Sequence, residues 1–275
     1  MKHRKQVLPG FGLSIGITVG YMGLMVVLPL AFLVMRTFSI SIAAYCDILL
    51  QPRTLSAFRI SLVTALFSAS LNAVFGFWVA WVQVRYTYPG RRYVDALIDL
   101  PFALPTSVAG IALAAMLSPN GWLGKGLAER GIYVAYTPVA IVIALMFISL
   151  PFVIRTVEPV LRELDKDVEE AAASLGAGRW EIFVRILFPT VFPAIFTGFS
   201  LAFARSLSEY GSVVFVSGNM PFKTEMVPLL IMTKLEQYDE VGATVVATAM
   251  LLLAFSLLFL INFLQWWLRR KREKP

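Results

Sequence analysis

Gly131-Ile-Tyr-Val-Ala-Tyr-Thr-Pro-Val-Ala-Ile-Val-Ile-Ala-Leu-Met-Phe-Ile-Ser-Leu-Pro-Phe-Val-Ile154 is 24 residues long and holds no Asp, Glu, Lys or Arg. A helix needs roughly 20 apolar residues to cross the ~30 Å hydrocarbon core of a bilayer. One such run is equally compatible with a buried helix of a soluble protein. The chain has five more, at 6–35 (30 residues), 60–84 (25), 100–124 (25), 186–204 (19) and 241–268 (28). Together the six runs take up 151 of the 275 residues, more than the core of a soluble protein this size can absorb. They predict an all-α polytopic membrane protein with about six transmembrane helices, organised as one transmembrane domain over residues 1–275.

Composition agrees. The chain is 58% apolar with a mean hydropathy of +0.75, and only 15% of it is charged, against about 25% in ordinary soluble domains. Disorder is excluded by the same figures. A single cysteine, Cys46, rules out an internal disulfide framework and cysteine-rich metal sites. A single histidine, His3, leaves no imidazole for a catalytic triad or a two-histidine zinc site in the folded body. No catalytic or metal-ligating residue is expected.

The net charge of +7 is explained by position. If the N-terminus is inside, the inner segments carry 16 Lys and Arg and the outer ones 8. The inner set includes Lys2, Arg4, Lys5, Arg85, Arg91 and Arg92, five residues between Arg155 and Arg185, and five from Arg269 to Lys274. The positive-inside rule then predicts both termini in the cytoplasm. Topology anchoring accounts for these charges without nucleic acid. Residues 1–5 followed by an apolar run look like a signal peptide, but the run exceeds a signal core of 7–15 residues and no small-residue cleavage site precedes Arg36. The expectation is a first membrane helix starting near Pro9–Gly10.

Four features go beyond plain anchoring. Proline is frequent inside the apolar runs and densest in Asp99-Leu-Pro-Phe-Ala-Leu-Pro-Thr-Ser-Val-Ala-Gly110. Pro101 and Pro105 predict a bent or broken helix start with Thr106 and Ser107 free to hydrogen-bond, as an interfacial cap or as lining of a pathway. Residues 155–185 form a long inner loop with Glu169-Glu-Ala-Ala-Ala-Ser-Leu-Gly-Ala-Gly-Arg-Trp180 at its centre. Val168, Ala171, Ala172 and Leu175 recur at helical spacing, and Gly176 and Gly178 permit a tight exit. The resulting stripe packs either on its own bundle or in another protein's groove. Arg205 and Glu209, four apart with Ser208 and Ser212 alongside, share a face of a helix expected over about 192–216. The alternative ends that helix at Ala204, with 210–222 as an outer or re-entrant piece. A charge at the bilayer centre costs about 2.5–3.5 kcal/mol, so such residues pair and mark pathways. Finally, Gly218-Asn219 reads as an outer turn, with Lys223 and Lys234 either attracting an anion at the outer mouth or, the favoured reading, standing as plain solvated charges.

Glu170-Ala-Ala-x-x-x-Gly176, nine residues, then Ile186-x-Phe188-Pro189 resembles the EAA signature of bacterial ABC importer permeases, with Phe188 where Leu is usual. The stretches 7–11, 99–110, 151–161, 206–211 and Gly218-Asn219 are similar to sulfate/thiosulfate permeases of the CysT type, over about residues 7–268. Ser208 stands where that family usually has Gly, and Ser107 where Ala is common. The resemblance implies the type I importer fold, in the bacterial inner membrane, with a cytoplasmic coupling helix. Glu169, Glu170, Ala171, Ala172, Leu175, Gly176 and Trp180 would contact an ATPase subunit. Pro101, Pro105, Thr106, Ser107, Arg205, Ser208, Glu209 and Ser212 are candidates for the pathway or its gate. Implied partners are a CysW-type permease, two CysA-type ATPases, a periplasmic sulfate/thiosulfate-binding protein and membrane lipid. The chain has no Gly-x-x-x-x-Gly-Lys-Ser/Thr loop, so ATP and Mg are expected on the ATPase and no cofactor here. A molybdate or tungstate permease is the nearest rival. A secondary anion transporter would leave the coupling signature unexplained and shows no clear internal repeat.

Overall fold

The computed structural model describes residues 11–272, with side chains for all of these except 166, 264 and 266–272. Every regular element among the described residues is helical. In chain order these are α1 (Phe11–Phe38), α2 (Ile42–Leu49), α3 (Pro52–Arg85), α4 (Arg91–Ala103), α5 (Thr106–Leu117), α6 (Gly124–Ala128), α7 (Pro138–Glu163), α8 (Lys166–Ser174), α9 (Arg179–Leu207), α10 (Val213–Ser217), α11 (Val227–Glu236) and α12 (Glu240–Arg272). Five of them (α1, α3, α7, α9 and α12 as far as Phe263) are long and apolar enough to cross a membrane. A sixth span exists if α4 and α5 count as one, bent by 111°. The expectation of about six spans therefore holds, with one of them broken. Lys2, Arg4, Lys5 and Lys274, and the helix start expected near Pro9–Gly10, lie outside the described residues.

The centre is a three-helix contact of α3, α7 and α9. Lipid is as apolar as leucine, so helices in a membrane associate through close approach, which small residues permit. On α3, Ala57, Ser61, Ala65, Ala69, Gly76 and Ala80 recur along one face and are all buried. A Cβ on Gly76 would sit 2.8 Å from Val153 Cγ1, and one on Gly198 would sit 2.8 Å from Val153 Cα. Both neighbours of α7 thus close on the same valine, Gly198 at its backbone and Gly76 at its side chain. Around it pack Ile154, Val157 and Leu161 of α7, Phe77 of α3, and Val191, Ala194 and Phe203 of α9. Helix α1 buries none of its residues in this chain, and Thr37 Oγ1 meets Thr248 Oγ1 at 2.7 Å where it touches α12.

The course of α9 corrects the expected helix over about 192–216. It starts at Arg179 and ends at Leu207. The early start has a local cause. Proline lacks an N–H and its ring crowds the carbonyl four residues back. Residues Phe183–Leu187 form a π turn immediately before Phe188-Pro189, which widens the helix where it must take the ring. The same device, Gly23–Val27, precedes Leu28-Pro29 in α1. The early end also has a cause: the carboxylate of Glu209 accepts from Ser212 N at 2.8 Å, drawing the chain into a new turn. Residues 210–222 contain only the short α10, followed by a turn at Gly218 (φ 68°) and Asn219 (φ 47°).

Candidate functional site

Two groups of side chains singled out by the sequence sit at opposite ends of this frame. At the end carrying Arg85, Arg162 and Arg179, α8 stands off the bundle. None of its described side chains is buried, Val168 is exposed, and Leu175 just beyond it is 90% exposed. Glu170 and Ala171 are exposed and Ala172 is half-buried. The open choice between packing inward and facing outward is resolved as outward. Helix α8 closes with Gly176 N–H donating to Ala173 O (3.0 Å) and Ala177 N–H to Ala172 O (3.1 Å), with Gly176 at φ 89°. This paired closure requires a left-handed residue, which glycine adopts without a Cβ penalty. The helix is held at one point: Glu169 pairs with Arg85, whose guanidinium lies 5.3 Å from the Trp81 ring centroid. Trp180 stacks on Phe183 at 5.6 Å and stays 75% exposed.

At the other group, the chain leaves α4 through Leu104 in an extended conformation and re-enters a helix after Pro105. Pro101 lies in the last turn of α4 and Pro105 caps α5, so the two prolines bracket the 111° bend. The segment after α9 packs directly against this bend. A Cβ on Gly211 would fall 2.2 Å from Thr106 Oγ1, and one on Gly110 would fall 2.5 Å from Ser212 O. Thr106 and Ser107 are thereby brought to Gly211, and Gly110 to Ser212, whereas Ser208 lines an apolar groove with Leu33, Leu207 and Pro228. Arg205 Nη1 lies 2.7 Å from Glu209 Oε2, and Glu209 Oε1 accepts from Ser212 N and, at 3.1 Å, from Ser212 Oγ. Glu209 is buried, whereas Ser107 and Ser208 are exposed. The i,i+4 pair forms as the spacing predicts, although Glu209 sits beyond the helix end.

Several polar clusters escape a reading by motif. Arg155 donates to both Asp99 oxygens (2.9 and 2.7 Å), to Asp95 (2.9 Å) and to Glu158 (2.9 Å), tying α4 to α7 below the bend. The i,i+4 spacing of Asp95 and Asp99 was a signal, but nothing in sequence links them to Arg155. Arg53 makes two parallel bonds to buried Glu225 (2.8 and 2.7 Å), joining α3 to the start of α11. Asn72, Ser149 and Ser206 form a buried chain across α3, α7 and α9, with bonds of 2.9 and 3.2 Å. Lys234 is tied to Asp239 at 2.8 Å, a correction to its reading as a solvated charge. The Lys234 ammonium and the Gly242 N–H hold the Asp239 carboxyl below its ordinary value, against the effect of burial. Among the described residues no three His, Cys, Asp or Glu converge on a metal-sized site.

Residues 72–274 match the family described as binding-protein-dependent transport system inner membrane component. The chain belongs to that family. This inner membrane component is 44% identical over 261 residues to the sulfate transport system permease protein CysT of Escherichia coli strain K12, covering 95% of this chain and 94% of that protein. It is 47% identical over 249 residues to a probable sulfate transport system permease protein cysT of Nephroselmis olivacea, covering 90% and 88%. The CysT protein of a Synechocystis strain is 45% identical over 254 residues, covering 92% and 89%. In fold, it is similar to a chain of a bacterial ABC transporter that imports the acidic polysaccharide alginate, with a TM-score of 0.78 at 15% identity, covering 97% of both chains.

Proposed function

We propose that this chain is the membrane-spanning permease subunit of an ATP-driven importer that carries sulfate across the inner membrane. The observation that carries the mechanism is α8, a helix presented outward and closed by Gly176. It overlaps the coupling signature Glu170–Gly176 over residues 170–174, and the rest of the signature forms its glycine closure. Glu169, Glu170, Ala171, Ala172, Leu175, Gly176 and Trp180 form the surface that an ATPase subunit grips. Substrate class rests on the relatives named for sulfate transport. Thiosulfate is carried as a second oxyanion of the same charge.

On this reading the basic end is cytoplasmic and both termini lie there. Two CysA-type ATPase subunits bind ATP and Mg below the membrane, a CysW-type permease completes the pathway, and a periplasmic binding protein delivers the anion. ATP-driven closure of the ATPases moves α8. Arg85–Glu169 and the start of α9 pass that displacement to α3 and α9. At the far end of α9, Arg205, Ser208, Glu209 and Ser212 meet the broken span at Pro101, Pro105, Thr106 and Ser107. That junction is the gate, because its elements meet through close backbone approach at Gly110 and Gly211, while the Arg205–Glu209 pair fixes the turn that presents Ser212 to the bend.

The test is radiolabelled sulfate uptake in cells lacking their own sulfate permeases. The chain is supplied alone, then with its partner permease, ATPase and binding protein, with unlabelled thiosulfate and molybdate as competitors. Uptake only by the full set supports the importer. Uptake by the chain alone refutes it in favour of a secondary transporter. An assembled complex that takes up no sulfate moves the substrate to another oxyanion, and the competitors rank the oxyanions where sulfate is carried.

A further inference from the structure

The junction of α3, α4 and α7 gathers polar groups that neither coupling nor gating uses. Gln83, Arg91, Arg92, Asp95, Glu158 and Arg162 line a polar cavity of about 230 Å³. That is several times the ~30 Å³ share of one water. Gln83 is 2% exposed. Its Oε1 accepts from Tyr88 OH at 2.8 Å, but its Nε2 has no partner. A buried donor left without an acceptor is destabilising, so this amide points to a ligand.

The start of α4 points the same way. Its first turn has no side-chain cap and no acid, and Arg91 and Arg92 occupy its first two positions after Gly90. Cations at the positive end of a helix are unfavourable, and an anion there reverses the sign. Topology anchoring explains arginines in this loop, but not their seat on a helix start beside an orphan donor. The acids nearby are partly engaged: Asp95 and one oxygen of Glu158 bind Arg155, each at 2.9 Å, and that same Glu158 oxygen lies 3.7 Å from Arg162. The other oxygen, Glu158 Oε1, is buried with no donor. The cavity thus offers cationic donors for an oxyanion and one acceptor that needs a hydroxyl. Sulfate dianion has no proton to give Glu158. Exposed Tyr93 follows Arg92 in the same first turn of α4, the residue type that settles at headgroup depth.

We propose that this cavity binds a phosphate group with a neighbouring hydroxyl, the chemistry shared by a phosphatidylglycerol headgroup and free glycerol phosphate. Arg91, Arg92 and Arg162 take the phosphate, Gln83 Nε2 donates a fourth bond, and Glu158 Oε1 accepts from the hydroxyl.

The test uses the full-length chain purified with its partner subunits. Native mass spectrometry reads retention of added phosphatidylglycerol against phosphatidylcholine. Thermal melts of delipidated protein read protection by glycerol 3-phosphate, inorganic phosphate and sulfate. In the lipid case, phosphatidylglycerol is retained preferentially, and retention falls about tenfold for each of Arg91→Gln and Arg92→Gln. Equal retention of both lipids, with glycerol 3-phosphate protecting wild type but neither variant, assigns the soluble source. Should the arginine variants fail to accumulate, Gln83→Leu decides, since it leaves the topology anchors in place and removes one donor. Wild type and Gln83→Leu indistinguishable in every ligand arm would overturn the proposal.

Discussion

Gly110→Ala isolates the contact on which the proposed gate rests. The added methyl carbon would lie 2.5 Å from Ser212 O, 2.7 Å from Ser212 Cα and 2.9 Å from Ser212 C. All three are backbone atoms, so no side chain can swing away. Carbon atoms need about 3.5 Å, so α5 or the 208–212 segment must retreat by about 1 Å. Overpacking of this kind costs about 1–3 kcal/mol. Alanine returns about 0.5–1 kcal/mol by stiffening the helix, leaving a net loss of up to about 2.5 kcal/mol. At about 2–4 °C per kcal/mol, the melting temperature falls by up to about 10 °C. Because Ser212 N is the donor that holds Glu209, retreat also loosens Arg205–Glu209, and sulfate uptake should fall more than stability alone explains. The matched control is Gly16→Ala, where the new Cβ meets nothing within 4 Å. Both variants are assayed by thermal melts in detergent and by uptake in cells at equal expression. A Gly110→Ala protein that melts and transports like wild type would refute the claim that backbone contact between α5 and the 208–212 segment matters.

Other outcomes follow from the same geometry. Glu209→Gln keeps the acceptor for Ser212 but loses the charge pair, whereas Glu209→Ala loses both; stability should fall by about 1–3 kcal/mol for Gln and by about 3–5 kcal/mol for Ala, and equal melts for the two would discard the capping role. Gly176→Asp forces a side chain into φ 89° at about 1–2 kcal/mol, unwinds the closure of α8, and should lower both ATPase co-purification and uptake; Glu170→Lys should do the same by charge alone, and normal co-purification with normal uptake for both would exclude α8 as the docking helix. The Asp239 carboxyl is held below its ordinary value of 3.8, chiefly by the Lys234 hydrogen bond. Its contribution is complete above that value and is lost as pH falls through the lowered one. Asp239→Asn should flatten that acid-side loss in chemical denaturation across the range, and an unchanged profile would count against it.

The spans were legible because a bilayer demands length and apolarity, and both are written directly in residues 131–154. The break at Leu104-Pro105 was legible because two prolines four apart leave a helix little choice. The outward face of α8 was half legible: its stripe and glycine exit showed, but not which way the stripe would turn. The path of α9 was not. Prolines read as helix starts unless a π turn precedes them, and Phe183–Leu187 carries no residue type that announces one. Its end was hidden for a different reason, since Glu209 terminates α9 by capping a turn that only exists once Gly211 has come against Thr106. The Arg155 cluster joins residues 56 and 60 positions apart, a pairing set by how α4 leans on α7 and by nothing local.

The seat of Gly198 on Val153 divides α9 unequally. About 28 Å of helix separates it from Arg179 beside α8, and about 14 Å separates it from Leu207 beside the bend. Any rocking about that fulcrum moves the long arm twice as far as the short one. The geometry therefore trades travel for force. On the proposed coupling, a broad displacement at the α8 end would be geared down to a small one at the junction of Glu209 and the broken span. A junction closed by backbone contact needs little travel to part.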